Sequence, residues 1–301
     1  MIPNLVFFPP CFSLSEPFVE NNRMHLYLIF YVVLGLVIGS FLNVCIYRIP
    51  RGKSIVFPGS GCPHCSRPIR PYDNIPVVSF LLLRGKCRFC REPISLQYPL
   101  VELLSGLAFY SCAITWQFAP PTFVNSLFLS VIIILVFTDY HHQILPNVLT
   151  LPGTVAGLLL SSFQDPVYYR DVLSSYFTSL LGFTESPLVL SWMGSVLGTL
   201  IGGGSLLVVA LFYEKIRKRQ GLGMGDVKMM ALVGAFLGYR LTILTIFFGS
   251  LVGLLAGIYL ILFRKMNLQT KLAFGVFLGG AAAFSLFFGY DLLHLYLNSL
   301  R

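Results

Sequence analysis

Charge is what this chain has least of. Only 11% of its 301 residues are charged, against 56% that are hydrophobic. Those apolar residues gather in runs long enough to cross a bilayer, more of them than a soluble core of this size needs. Acidic residues are the scarcer sign, with 12 Asp and Glu against 21 Lys and Arg. There is no GxxxxGK[ST] run after a strand, so the glycine-rich turn near residue 223 is not read as a phosphate cradle. No basic residue precedes Arg23, while Pro3, Pro9, Pro10 and Pro17 crowd the same stretch. Residues 1–25 therefore do not resemble a cleaved signal peptide and are read as an amino-terminal extension. Met24 directly precedes the first apolar run, and synthesis is expected to be able to begin there.

The apolar runs give the fold class: an all-α polytopic membrane protein. Breaks at charge, Pro or Gly divide the chain into about eight spans, at roughly 26–47, 100–118, 124–139, 148–163, 188–212, 226–239, 242–263 and 272–297. The sixth is short. With this count, seventeen Lys and Arg fall on one side of the membrane, and Arg23, Arg170, Arg240 and Arg301 on the other. Basic residues favour cytoplasmic loops, so the segment 48–99 lies in the cytoplasm. The net charge of +9 then reflects topology and anionic headgroups, and no nucleic-acid partner is needed to explain it.

That segment carries Cys62-Pro-His-Cys65 and Cys87-Arg-Phe-Cys90. Four thiols in two CxxC pairs suit tetrahedral zinc, and the reducing cytoplasm favours thiolates over disulfides. A closed four-thiolate site leaves no place for water, so the zinc is structural. Cys11, Cys45 and Cys112 read as small buried hydrophobes. His64, His141 and His142 are not needed as ligands, and the paired histidines read as interfacial.

Carboxylates at the edge of lipid are costly and are candidates for function. Asp139 ends the third span in Phe137-Thr138-Asp139-Tyr140, before Leu145-Pro146-Asn147, and Asp226 opens the sixth after Gly223-Met224-Gly225. Both belong to the cytoplasmic face. Two aspartates at one depth can approach, and like charges at close range cannot both ionise, so one keeps a proton. Such a pair supplies a base for water and an acid for a leaving amine. Gly223 and Gly225 let backbone come close to an extended peptide. The plainer readings are that Asp139 terminates a helix and Asp226 is an N-cap. The long connection from Gln164 to Pro187 holds Asp165, Asp171 and Glu185, read as solvated acids facing away from the cytoplasm.

These residues resemble a known family. Gly39-Ser40-Phe41-Leu42-Asn43-Val44, Tyr47-Arg48-Ile49-Pro50, the double CxxC enclosing Tyr72-Asp73-Asn74-Ile75-Pro76-Val77 and Leu83-Arg84-Gly85-Lys86, Tyr98-Pro99-Leu100-Val101-Glu102, the Asp139 segment and Gly223-Met224-Gly225-Asp226-Val227-Lys228 occur in this order. They look like a bacterial type IV prepilin peptidase of the GxGD aspartic protease group. The resemblance implies an inner-membrane enzyme that cuts prepilins and pseudopilins on the cytoplasmic side. It also implies methylation of the new amino terminus from S-adenosylmethionine. It implies a zinc loop over 48–99, associated with methyl transfer, and a helical peptidase domain over 100–301. Catalysis would rest on Asp139 and Asp226 through a bound water, with no covalent intermediate and with Asp226 the favoured base. No glycine-rich dinucleotide-type unit is present, so residues for S-adenosylmethionine are unassigned. Glu102 is a participant on the resemblance and a helix-start carboxylate on its own. Asn147 departs from the Asp that many members carry. Three alternatives stand beside this reading: a peptidase lacking the transferase, a membrane thiol oxidoreductase using the CxxC pairs, and a transporter using the aspartates.

Overall fold

A computed structural model describes residues 19–164, 169, 172–183, 186–218, 221–264 and 272–299. Positions 1–18 with Cys11, and Arg170, Arg219, Lys265, Lys271, Arg301, Asp165, Asp171 and Glu185, lie outside the described residues. The helices are α1 (Val19–Arg48), α2 (Val78–Leu82), α3 (Gln97–Trp116), α4 (Pro120–His142), α5 (Asn147–Leu160), α6 (Val172–Leu180), α7 (Pro187–Arg217), α8 (Met224–Arg264) and α9 (Phe274–Ser299). Six of them are long and apolar enough to cross a membrane. The fourth expected span is the 14-residue α5, too short to cross unaided.

Breaks in the helices follow local chemistry. Helix α4 starts on Pro120 and Pro121, where a missing N–H costs nothing. It ends at Gln143, in the left-handed region, whose N–H closes on the Asp139 carbonyl at 2.8 Å. Pro146 then forbids continuation, and α5 begins at the next residue. Ser186 caps α7 by accepting the N–H of Val189.

The expected sixth and seventh spans are two arms of α8. Gly238 sits at φ 70°, ψ 172°, a conformation open essentially to glycine alone. A Cβ on Gly202 of α7 would touch both the Met230 carbonyl and Thr242 Cγ2. Those residues would stand about 18 Å apart along a straight helix. The chain therefore folds back at Gly238, making a short arm 224–237 and a long arm 239–264. Carbonyls left unpaired by the break are taken up by side chains. Tyr169 Oη donates to Phe236 O at 2.7 Å and to Ala235 O at 3.2 Å, Ser195 Oγ to Ala235 O at 2.6 Å, and Gln164 Nε2 to Phe236 O at 3.3 Å. Tyr169 is fully buried. The described part of the 164–187 connection contains α6, and its Gln164 and Tyr169 close the far end of the short arm.

Small residues set the helix spacing, as they do where packing alone draws helices together in lipid. Gly35 and Gly39 of α1 lie on Ser105, Gly106 and Glu102 of α3, so the two run antiparallel. Gly198 of α7 and Gly234 of the short arm meet backbone to backbone, and a Cβ on either would overlap the other's carbonyl. No rotamer relieves such a clash. Gly198→Val is expected to destabilise the folded protein by about 3 kcal/mol, read as a lower melting temperature in detergent. Gly204→Val, where a Cβ meets nothing within 4 Å, should leave that temperature unchanged.

Candidate active site and metal centre

Asp139 lies in the last turn of α4 and Asp226 in the first turn of α8. Both are buried, at 6% and 9% exposure. Leu145 joins them: it packs where a Cβ on Gly225 would stand 2.9 Å from its own Cβ, and where one on Gly275 would stand 3.3 Å from its Cδ1. The Gly275 position also lies 2.9 Å from Asp139 Oδ2. Any larger residue at 225 or 275 would fill the space beside the carboxylates. The two side chains are close enough for their charges to act on one another. Helix ends 87 residues apart in sequence are thereby joined through Leu145 and Gly275.

Asp226 is not the N-cap. It is the third residue of α8; its N–H donates to the Gly223 carbonyl at 3.1 Å, and its carboxylate accepts from the N–H of Gly223. The return of the carboxylate to the Gly223 N–H is the half of a capping box that an acid at the third helical position supplies, and it fixes the side chain against the helix start. Asp139 is held differently. The N–H groups of Gly275 and Val276, in the first turn of α9, lie against its carboxylate. Its Oδ2 is buried and completes no hydrogen bond. The α9 start has little signature in the sequence; Ala273-Phe274-Gly275 offers only a glycine beside an aromatic residue as a signal.

Gly223 borders Asp226, a Cβ there standing 3.3 Å from Oδ2, and Gly225 borders Leu145. Beyond the carboxylates, Lys228 Nζ donates to Asn147 Oδ1 at 2.8 Å, tying the starts of α8 and α5. His142 Nε2 stands 3.4 Å from Arg51 Nη1. Glu102 is not at a helix start: it is the sixth residue of α3, 8% exposed, and its Oε2 accepts the N–H of Val77 at 2.8 Å. Val77 has φ 61°, an uncommon value for a β-branched residue.

The four cysteines converge. The Sγ atoms of Cys62, Cys65, Cys87 and Cys90 all lie within 4.8 Å of one another, with Cys62 to Cys90 at 3.8 Å. Metal–sulfur bonds of about 2.3 Å in a tetrahedron place sulfurs about 3.8 Å apart, so the donor set fits one metal ion. His64 is not part of the cluster. Each CxxC pair sits in the same turn, offset by 25 residues. Cys62 N bonds Arg67 O as Cys87 N bonds Glu92 O; Ser66 N bonds Cys62 O as Arg91 N bonds Cys87 O; Ile69 N bonds Ser60 O as Ile94 N bonds Gly85 O. Ser66 and Arg91 share the left-handed conformation. The repeat is faint in the sequence, where Gly-Cys-Pro-His-Cys-Ser-Arg-Pro-Ile and Lys-Cys-Arg-Phe-Cys-Arg-Glu-Pro-Ile share little beyond the cysteines and a closing Pro-Ile. N–H groups of Cys90 and Phe89 are aimed at the Cys87 sulfur, as suits a thiolate that a metal binds. Arg88 clamps Asp73 through two hydrogen bonds of 2.8 and 2.6 Å, holding that carboxyl below its ordinary range.

Comparison with known proteins agrees with this layout. The Bacterial Peptidase A24 N-terminal domain matches residues 33–118, which include the cysteine module, and the Type IV leader peptidase family matches residues 126–258, which include both aspartates. A protein of Myxococcus xanthus named prepilin leader peptidase/N-methyltransferase is 37% identical over 79% of this chain and 64% of its own length. A protein of the same name from Pseudomonas aeruginosa is 32% identical over 89% of this chain and 92% of its own length. A third, from Neisseria gonorrhoeae, is 35% identical over 75% and 79%. No solved structure matches. On sequence identity, length and the order of its two matched regions, the chain belongs to the type IV leader peptidase family.

Proposed function

We propose that this chain is a membrane aspartic endopeptidase that removes the leader of type IV prepilins and pseudopilins, then methylates the new amino terminus from S-adenosylmethionine. The observation that supports the peptidase reading is that two buried carboxylates, Asp139 and Asp226, stand at helix ends joined through Leu145 and Gly275, with Asp139 Oδ2 left unpartnered. An unsatisfied carboxylate oxygen beside a second carboxylate is suited to hold a water. The base takes a proton from that water as its oxygen attacks the scissile carbonyl carbon, and the protonated partner gives its proton to the leaving nitrogen. Two coupled carboxylates titrate as a unit, so acid and base belong to the pair. Gly223 and Gly225 leave room for substrate backbone.

The substrate's apolar helix can lie among the spans while its short leader stays in water, which puts the scissile bond at the interface. The excess of Lys and Arg around 48–99 supports a cytoplasmic site in the bacterial inner membrane. Zinc is the metal proposed for Cys62, Cys65, Cys87 and Cys90, where it would hold the two knuckles in one fold. No residue is assigned to S-adenosylmethionine, because the described residues hold no strand–turn–helix cradle of the usual glycine-rich kind. The four converging thiols favour a metal over the thiol oxidoreductase reading, and the meeting of the aspartates favours a water site over an ion path.

The test is incubation of the purified chain in detergent with a prepilin and S-adenosylmethionine, with cleavage and methylation scored separately. Both products are expected. Cleavage without methylation would restrict the chain to the peptidase, and neither product from a folded sample would overturn the reading.

A further inference from the structure

We propose that α2 and its flanks form an apolar foot by which the cysteine module is inserted into the lipid beside α3. Depth carries this inference. Helix α3 has 20 residues, about 30 Å, which matches the hydrocarbon thickness it crosses. Its outward face is apolar from the start, with Leu96, Leu100, Leu103 and Leu107 all exposed. Glu102 lies five residues in, so it stands about 7 Å below the end of the helix. The 2.8 Å bond from Val77 N–H to Glu102 brings the module down to that level. Gly39 of α1 backs onto Glu102 at the same height, nine residues before α1 ends.

From this anchor α2 continues with Val78, Leu81 and Leu82 exposed at 48%, 67% and 78%. A five-residue helix spans at most about 7 Å, so these side chains cannot climb far from the level of Glu102. In water they would be a liability; at that depth they meet acyl chains. The charge pattern agrees. The segment 77–83 holds no ionisable residue, whereas Arg84 and Lys86 follow at once, where long cationic side chains reach headgroup level. Arg70 and Arg88 lie on the knuckle side, stacked over Tyr72. Asp73, the acid nearest the foot in sequence, is neutralised by Arg88. The occupant of the exposed face is therefore lipid hydrocarbon.

The inference is tested with the full chain in vesicles of phosphatidylcholine brominated on its acyl chains, by comparing the tryptophan fluorescence of Leu82→Trp, Leu107→Trp and Phe89→Trp variants with the parent. Trp116 and Trp192 contribute equally to all four samples. The added fluorescence of Leu82→Trp is expected to be lost to bromine as fully as that of Leu107→Trp on α3, while that of Phe89→Trp in the second knuckle survives. Leu82 is 78% exposed, so the substitution leaves folding intact, and metal content equal to the parent's verifies this. Quenching of Leu82→Trp no greater than that of Phe89→Trp would overturn the proposal. So would quenching that disappears on adding uncleaved prepilin, or that appears only on dilution of the protein in lipid; these outcomes assign the face to the substrate helix or to a second copy.

Discussion

Asn in place of Asp139 or Asp226 is expected to lower leader cleavage by about 10⁴-fold, the full worth of acid–base catalysis at this kind of centre. The substitution keeps shape and volume but removes the ability to accept the water proton or to supply one. In Asp226→Asn the new amide oxygen can still accept the Gly223 N–H, so the start of α8 should hold and the protein should extract and melt like the parent. A split between activity and stability is the point of the measurement. Asp139→Asn should retain methylation of a pilin supplied already cleaved, because the 48–99 segment, which the resemblance associates with methyl transfer, lies in a separate part of the chain. Either variant still cutting prepilin at about a tenth of the parental rate would remove the dyad as the catalytic unit, since general acid–base catalysis is worth far more than tenfold.

The second large effect concerns the cysteine module. Metal in a four-thiolate site of this kind is worth about 10 kcal/mol of folding free energy in small domains, and residues 53–77 contain no α-helix that could hold shape without it. Cys62→Ser, or removal of metal by a chelator, is expected to free both knuckles, exposing the arginines between residues 67 and 91 to trypsin. Methylation should fall to background. Leader cleavage should persist, since Asp139, Leu145, Asp226 and Gly275 belong to α4, α8, α9 and the turn after α4. Zinc content, proteolysis and the two activities report on one sample. Retained methylation in a chain shown to be metal-free would separate the transferase from the module.

Much of this arrangement is legible in the sequence alone. Apolar runs locate each long helix, because a lipid-facing helix advertises itself by composition all round its surface. CxxC spacing picks out four cysteines whose sulfurs converge, and the edge of lipid picks out two aspartates that the fold buries at helix ends. What stays hidden depends on contacts between segments distant in sequence. Gly238 reads as one glycine among 27, and nothing local tells a kink from a reversal. Gln164 and Tyr169 sit in a polar connection, and their task of capping the broken helix exists only once α8 has folded back. Glu102 reads as a helix-start carboxylate because the apolar run begins near residue 100; three further residues move it inside the helix and turn it into an acceptor for Val77. Gly275 becomes part of the site through a neighbour 136 positions earlier.

The reversal at Gly238 also sets how deep two helices reach. The short arm of α8 has 14 residues and so does α5, each about 21 Å long where the hydrocarbon is about 30 Å thick. Lys228 and Asn147 join their starts, while Asp139 stands in the last turn of α4, a helix long enough to cross. Two short helices that start at that edge end inside the hydrocarbon. Backbone that ends there has to be satisfied by protein, and Tyr169, Ser195 and Gln164 do this for the carbonyls of Ala235 and Phe236.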